Sequence, residues 1–213
     1  MGLRQRLAQL MGTRPEVYQK LSRDLSERLR ATAMEGVLKP GDRMPEFVLP
    51  DAEGNLVYSA DLLARGPLVV VFFRGDWCPF CRMTLVALNE AMPAIAAADG
   101  TLVALTPDTG EHSHATFHDL GLAFPVLSDI DSATALEFGT NYLVPDAIRQ
   151  VQQANGLDLA VRHGDGAWFL PMPATFIADR HGVLRFVYAS GDVTDRLEPE
   201  ELVAKVRQYS TER

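Results

Sequence analysis

Residues 69–82 read VVVFFRGDWCPFCR. A run of β-branched and aromatic residues breaks at Arg74, Gly75 and Asp76 and gives way to a tryptophan and two cysteines three positions apart. The apolar stretch 67–73 has no polar alternation. It suits a strand buried on both faces, as in a parallel sheet. Pro79 fits the first position of a helix, where a missing N–H costs nothing. That places Cys78 at the N-cap. Leu85, Leu88, Met92 and Ile95 follow at helical spacing as a buried stripe.

A thiolate at an N-cap accepts hydrogen bonds from the free N–H groups of the first turn, and the helix dipole favours its charge. Both effects lower a thiol from about 8.5 toward neutrality. Cys81, within the first turn, is close enough to attack a mixed disulfide on Cys78. The spacing therefore supplies a nucleophile and a resolving thiol together. Other uses of the pair fit less well. An inert buried pair would not need a strand end and a helix start. A structural disulfide closing so short a loop would add little stability. Half a zinc site needs two further ligands, for which His112, His114 and His118 in HSHATFH are candidates. A solvated helix face accounts for those imidazoles, so no metal ligand is assigned.

The chain has 213 residues, 47% of them hydrophobic and 23% charged, an ordinary globular composition. Lys and Arg number 20 against 28 Asp and Glu, for a net charge of −8, and no basic run stands out. No nucleic-acid partner is expected. The opening MGLRQRLAQLMG lacks an apolar segment of signal-peptide length, and no window approaches a membrane span. Two cysteines in a chain of this size do not make a secreted disulfide scaffold. The expected location is the cytoplasm, with no membrane partner.

Residues 1–36 read as a helical arm, with Val17, Leu21, Leu25 and Leu29 recurring every four residues. Thr13 and Glu16 are placed as a capping box, with Pro15 inside the first turn. Such an arm packs on its own domain or on the partner subunit of a homodimer. Residues 37–213 read as one domain. FVLP and NLVY flank the turn residues 51–54 as a hairpin. TLVALT is a strand, 111–119 a helix, and FPVLSD and SATALEF another short strand–helix unit. Strand and helix in alternation predict an α/β fold with right-handed crossovers. Residues 141–171 interrupt that rhythm. VPDAIRQVQQA reads as a helix and RHGDGAWFLP as a loop, with Trp168 and Phe169 either walling a cleft or filling the core. ATFIADRHGVLRFVYA gives two strands about a turn at 179–182, and a last helix runs from about Pro199.

VVVFFRGDWCPFCR resembles the active-site strand, turn and helix of the thioredoxin superfamily. KPGDRMPEFVLPDAEG, LVALTPDT, FPVLSD and MPATFIADRHGVLRF extend the likeness to about residues 38–208. Together they resemble the alkyl hydroperoxide reductase/thiol-specific antioxidant family, closest to a peroxiredoxin-like branch carrying C-x-x-C. The resemblance implies a thioredoxin-like fold, with a central mixed sheet flanked by helices and an N-terminal helical extension. It implies a thiol redox enzyme with Cys78 and Cys81 as the catalytic pair. Trp77, Pro79, Phe80, Met172 and Pro173 become substrate-binding candidates, with Arg74, Asp76 and Thr106 as auxiliary groups. Pro173 matches the cis-proline that faces the disulfide in this fold.

Two departures bear on the activity. The buried acid of thioredoxins, six residues before the first cysteine, is replaced by Phe72. Aligned on true peroxiredoxins, the peroxidatic cysteine falls at Cys81, but the motif's Thr, Pro and Arg fall at Cys78, Arg74 and Pro173. The resemblance therefore implies exchange with disulfides or oxidised thiols first, and hydroperoxide reduction as the alternative. A redox sensor or zinc-binding interaction module is the non-enzymatic one. The implied partners are a thioredoxin- or glutaredoxin-type reductant and a disulfide or peroxide substrate, and no prosthetic group is needed. Cys78 is expected to be the more exposed and more acidic thiol.

Overall fold

The computed structural model describes residues 1–164 and 166–211. Two helices, α1 (Leu3–Gly12) and α2 (Glu16–Thr32), precede the hairpin β1 (Val48–Pro50) and β2 (Leu56–Tyr58) and the short α3 (Ser59–Leu63). Then come β3 (Leu68–Phe72), α4 (Pro79–Ala96), β4 (Thr101–Thr106), α5 (Glu111–Asp119), β5 (Val126–Ser128) and α6 (Ala133–Glu137). The segment from 141 holds β6 (Asn141–Leu143), α7 (Asp146–Ala154), α8 (Leu159–His163) and β7 (Phe169–Pro171). The chain closes with β8 (Ala174–Ala178), β9 (Leu184–Ala189) and α9 (Pro199–Thr211).

One five-stranded sheet runs in the order β5-β4-β3-β8-β9. β3, β4 and β5 are parallel, β8 pairs antiparallel with β3, and β9 pairs antiparallel with β8, so the sheet is mixed. Every residue of β3 is buried. Val69 and Val71 join one core with α1, α4 and α9, while Leu68, Val70 and Phe72 join the other with α2 and the 141–171 segment. This alternation on a strand without polar residues is what a sheet covered on both faces requires. Leu85, Leu88 and Ile95 of α4 are buried as their spacing predicts, and so are Leu202, Val203 and Val206 of α9.

The arm is helical, but its contacts differ from the stripe in α2. Leu3 and Leu7 of α1 are fully buried in the core beside α4, whereas Val17 is 57% exposed. The Thr13–Glu16 capping box does not form. The Thr13 hydroxyl instead donates to the Leu10 carbonyl at the end of α1, and Pro15 precedes α2 with no side-chain cap. In RHGDGAWFLP, Arg162 and His163 end α8, and Phe169–Pro171 pairs with Asn141–Leu143 as a two-stranded sheet. That pairing joins the two ends of the interruption, and its described residues form a module of two strands and two helices. Trp168 fills its core beneath the Arg149 guanidinium, 5.0 Å from the ring centre, while Phe169 is exposed.

Candidate active site

β3, the central strand, delivers the chain to the end of the sheet beside the end of β4, and residues 73–78 turn it into α4. Gly75 is central to that turn. Its φ of +142° lies where side chains are rarely accommodated, and a Cβ there would sit 2.5 Å from Trp77 Nε1 and 2.7 Å from Asp108 Oδ2. The turn is held from outside. Asp108, fully buried just past β4, accepts the Asp76 N–H at 2.9 Å and Arg162 Nε at 2.6 Å. Arg162 also pairs with the Asp76 carboxylate. Through this clamp the 141–171 module reaches the loop that carries the cysteines.

Cys78 is the N-cap of α4, and its Sγ accepts the Cys81 N–H at 3.3 Å. Pro79 is the first helical residue, as the sequence implies. A second donor comes from Arg74, whose Nη2 lies 3.0 Å from Cys78 Sγ. Arg74 is buried, and its guanidinium lies 5.2 Å from the centre of the Trp77 ring. Burial opposes ionisation of Cys78. The Cys81 thiol, the Arg74 charge and the two N–H donors outweigh it and hold Cys78 well below the usual thiol range. Cys81 goes the other way: burial and the neighbouring Cys78 thiolate push it well up. Burial would also discharge Arg74, but the thiolate keeps it cationic.

The more acidic thiol is thus the expected one, but it is not exposed. Cys78 and Cys81 are 0% and 1% exposed. Arg74, Trp77 and Pro79, next to the pair, line a largely apolar groove of about 470 Å³. Its other walls are α2, through Tyr18 and Leu21, and α7, through Ile148 and Val151. Among the described residues, Arg74 Nε and Trp77 Nε1 are buried donors without a hydrogen-bond partner. The arm and the 141–171 module therefore both wall the groove that Arg74 and Trp77 line.

The remaining candidates divide. Trp77 and Pro79 line the groove. Phe80 and Met172 are fully buried packing residues that present no surface; Phe80 stacks on Tyr18 with ring centres 6.4 Å apart. Thr106 is buried, and its hydroxyl accepts the Asp108 N–H at 3.2 Å. Asp76 belongs to the Arg162 clamp. Pro173 lies on the far side of the pair, lining a small cavity with Cys81, Thr175 and Arg196. The Met172–Pro173 bond is trans, since the described residues contain no cis peptide. Met172 N–H donates to the Thr140 carbonyl and the Pro173 carbonyl accepts from Ser190. The chain passes from β7 into β8 without the tight reversal that a cis bond would serve.

Two groups at the site carry no mark in the sequence. Arg196, buried between β9 and α9, faces Cys81; burial lowers its pKa while the two thiols favour its charge. Tyr142 lies beside Arg74, and its burial raises its pKa against the pull of that cation. Both come from positions remote in the chain, so only the fold brings them in. The zinc alternative for the cysteines finds no support. His112 faces Asp76, with Nδ1 to Oδ2 at 3.9 Å, and His114 and His118 turn to Glu53.

The AhpC/TSA family model matches residues 40–187, more than half of the chain. The chain belongs to the AhpC/TSA family. A putative peroxiredoxin of Mycobacterium tuberculosis is 37% identical over 103 residues, covering 48% of this chain and 64% of that protein. The chain thus spans slightly less than two thirds of that relative's length. Peroxiredoxin Q of Sedum lineare, a chloroplast protein, is 26% identical over 163 residues, covering 76% of this chain and 75% of the relative. A thiol-disulfide oxidoreductase, ResA, of Bacillus thuringiensis is 29% identical over 122 residues, covering 54% and 69%. Among solved structures, peroxidoxin BcpB from Mycobacterium tuberculosis superposes with a TM-score of 0.64 at 20% identity, covering 80% of this chain and 97% of that one. The fold is therefore thioredoxin-like, of the kind this AhpC/TSA resemblance implied. Among the described residues no helix is long and apolar enough to cross a membrane.

Proposed function

We propose that this chain is a thiol-dependent antioxidant reductase in which Cys78 attacks and Cys81 resolves. One observation carries the reading: Cys78 Sγ sits at a helix N-cap between the Cys81 N–H and the Arg74 guanidinium, with the second thiol in the first turn. With a disulfide, the Cys78 thiolate attacks one sulfur and expels the other as a thiolate. Cys81 then attacks Cys78 Sγ, gives up its proton and releases the second thiol. With a hydroperoxide, the thiolate attacks the terminal oxygen and the O–O bond breaks. The alkoxide leaves as the alcohol after taking a proton, and Cys78 becomes a sulfenic acid. Cys81 condenses with it, losing water. Both routes end in a Cys78–Cys81 disulfide. A thioredoxin- or glutaredoxin-type dithiol supplies the two electrons and two protons that reset it. A centre reset in this way fits a reducing compartment, and the cytoplasm is the location proposed.

The hydroperoxide route, the alternative on sequence grounds, gains from two observations. A thiol with no exposed surface is easier to reach for the two-atom head of a peroxide than for a protein disulfide. Arg74, 3.0 Å from the sulfur, also supplies a preorganised cationic donor for the leaving oxygen, in place of the Thr and Arg that the sequence lacks. Trp77 and Pro79 would contact the bound oxidant in the groove. The test is steady-state turnover with excess thioredoxin-type reductant, using an alkyl hydroperoxide in one series and a protein disulfide in the other. Turnover that disappears in C78S supports the reading, and a higher kcat/KM for the hydroperoxide supports the second route. Failure to turn over either oxidant overturns the proposal.

A further inference from the structure

The imidazoles of residues 112–118 play no part in the dithiol cycle, yet two of them are arranged with some specificity. His114 and His118 are four residues apart on α5, so one face presents both. Their ring centres lie 4.1 Å apart. Both Nε2 atoms turn to a single oxygen of Glu53, at 2.6 Å from His118 and 3.8 Å from His114. The three potential ligand atoms all lie within 4.8 Å of one another, and among the described residues no other such group of His, Cys, Asp or Glu occurs.

Those separations lie either side of what an ion needs. Nitrogen and oxygen ligands at about 2.0–2.1 Å from a tetrahedral zinc are roughly 3.3 Å from each other. The observed contacts, one shorter and one longer, bracket that spacing, so side-chain rotations alone would open a pocket for the ion. The backbone beneath is fixed. Asp51 Oδ1 accepts the N–H groups of Glu53 and Asn55, each at 2.9 Å, and Asp51 is bridged to Leu127 in β5. On the other side, Ser113 of α5 is bonded to Ser128 of β5 at 2.9 Å. Both ligand-bearing elements are therefore anchored to the same strand. The three side chains are about half exposed, so an ion can reach them.

We infer that Glu53, His114 and His118 form a zinc site, separate from the cysteine pair, with a fourth position for water or an outside ligand. Two imidazoles and one carboxylate are a borderline donor set. It suits Zn²⁺ and its first-row neighbours and disfavours Ca²⁺ and Mg²⁺, which take oxygen ligands. An ion there would staple the β1–β2 turn to α5.

The test is calorimetric titration of Zn²⁺ into the metal-free C78S/C81S protein, which removes competing thiols, with H114A, H118A and E53A made in that background. All three positions are exposed, and retention of the circular dichroism spectrum confirms that each variant folds. The expected result is one zinc per chain, with affinity at least tenfold weaker in each single variant. Zinc should also raise the melting temperature of the parent but not of H114A/H118A. Absence of saturable one-to-one binding overturns the inference, as does binding that survives in H114A/H118A.

Discussion

Replacing Arg74 by Met removes one charged donor from the Cys78 sulfur and keeps most of the aliphatic stem. The hydrogen bond lost is 3.0 Å long, buried, and formed between a cation and a thiolate. A bond of that kind contributes about 1.5–3 kcal/mol. At 1.36 kcal/mol per decade, the ionisation constant of Cys78 should fall roughly ten- to a hundredfold. The Cys81 N–H and the helix N-terminus stay, so the thiol remains the more acidic of the two. Fold stability should be little affected, because Cys78 can take up a proton once its partner has gone and no unpaired charge is left buried. A more basic thiolate is also a better nucleophile, recovering about half of each decade lost. At a pH below both midpoints, reactivity should therefore fall only about three- to tenfold. The assay compares ultraviolet thiolate absorbance against pH in C81S and R74M/C81S, followed by alkylation rates at one acidic pH. Superimposable titration curves would refute the role assigned to Arg74.

Phe80→Ala removes a fully buried ring stacked on Tyr18 of the arm. It should cost about 3–5 kcal/mol in denaturant unfolding, and a loss below about 1 kcal/mol would contradict the packing described. Arg162→Met leaves Asp108 fully buried without its cation, for an expected loss of about 3 kcal/mol by the same assay. The thiols make opposite contributions to stability against pH. Cys78 is depressed by the Cys81 and Arg74 interactions that outweigh burial. Its contribution is complete above about pH 8.5 and is lost as pH falls through the depressed value. Cys81 is raised by burial and the Cys78 thiolate, so its contribution is complete below about pH 8.5 and is lost as pH rises. Measured against C78S/C81S, C81S should lose stability on acidification, and a flat or opposite slope would contradict the assignment.

The strand, turn and helix around Cys78 were legible because local chemistry specifies them. An unbroken β-branched run needs two covered faces, and Pro79 tolerates only the first helical turn. The hairpin at 51–54 and the strands about 179–182 announced themselves through turn residues in the same way. The β6–β7 pairing did not, because two three-residue strands 28 positions apart, from Asn141 to Phe169, show no periodicity of their own. At the site, the thiols could be read from spacing and Trp77 from the family resemblance. The burial of Arg74 against Cys78 could not, since a strand-end arginine looks the same in sequence whether it faces solvent or sulfur. Arg196 and Tyr142 reach the pair through tertiary folding alone. The exposure expected of Cys78 failed for a related reason. The arm and the 141–171 module cover a helix N-terminus that would stand open without them.

The central claim, that Cys78 attacks and Cys81 resolves, is tested most directly by intact mass after one equivalent of hydroperoxide, with a sulfenic-acid trapping reagent present. The reduced wild-type protein should lose two hydrogens and carry no adduct, as a Cys78–Cys81 disulfide forms. C81S should gain the adduct on Cys78, located by peptide mapping, and C78S should stay unmodified over the same time. An adduct on Cys81 in C78S, forming as fast as or faster than that on Cys78 in C81S, would reverse the two roles and contradict the account.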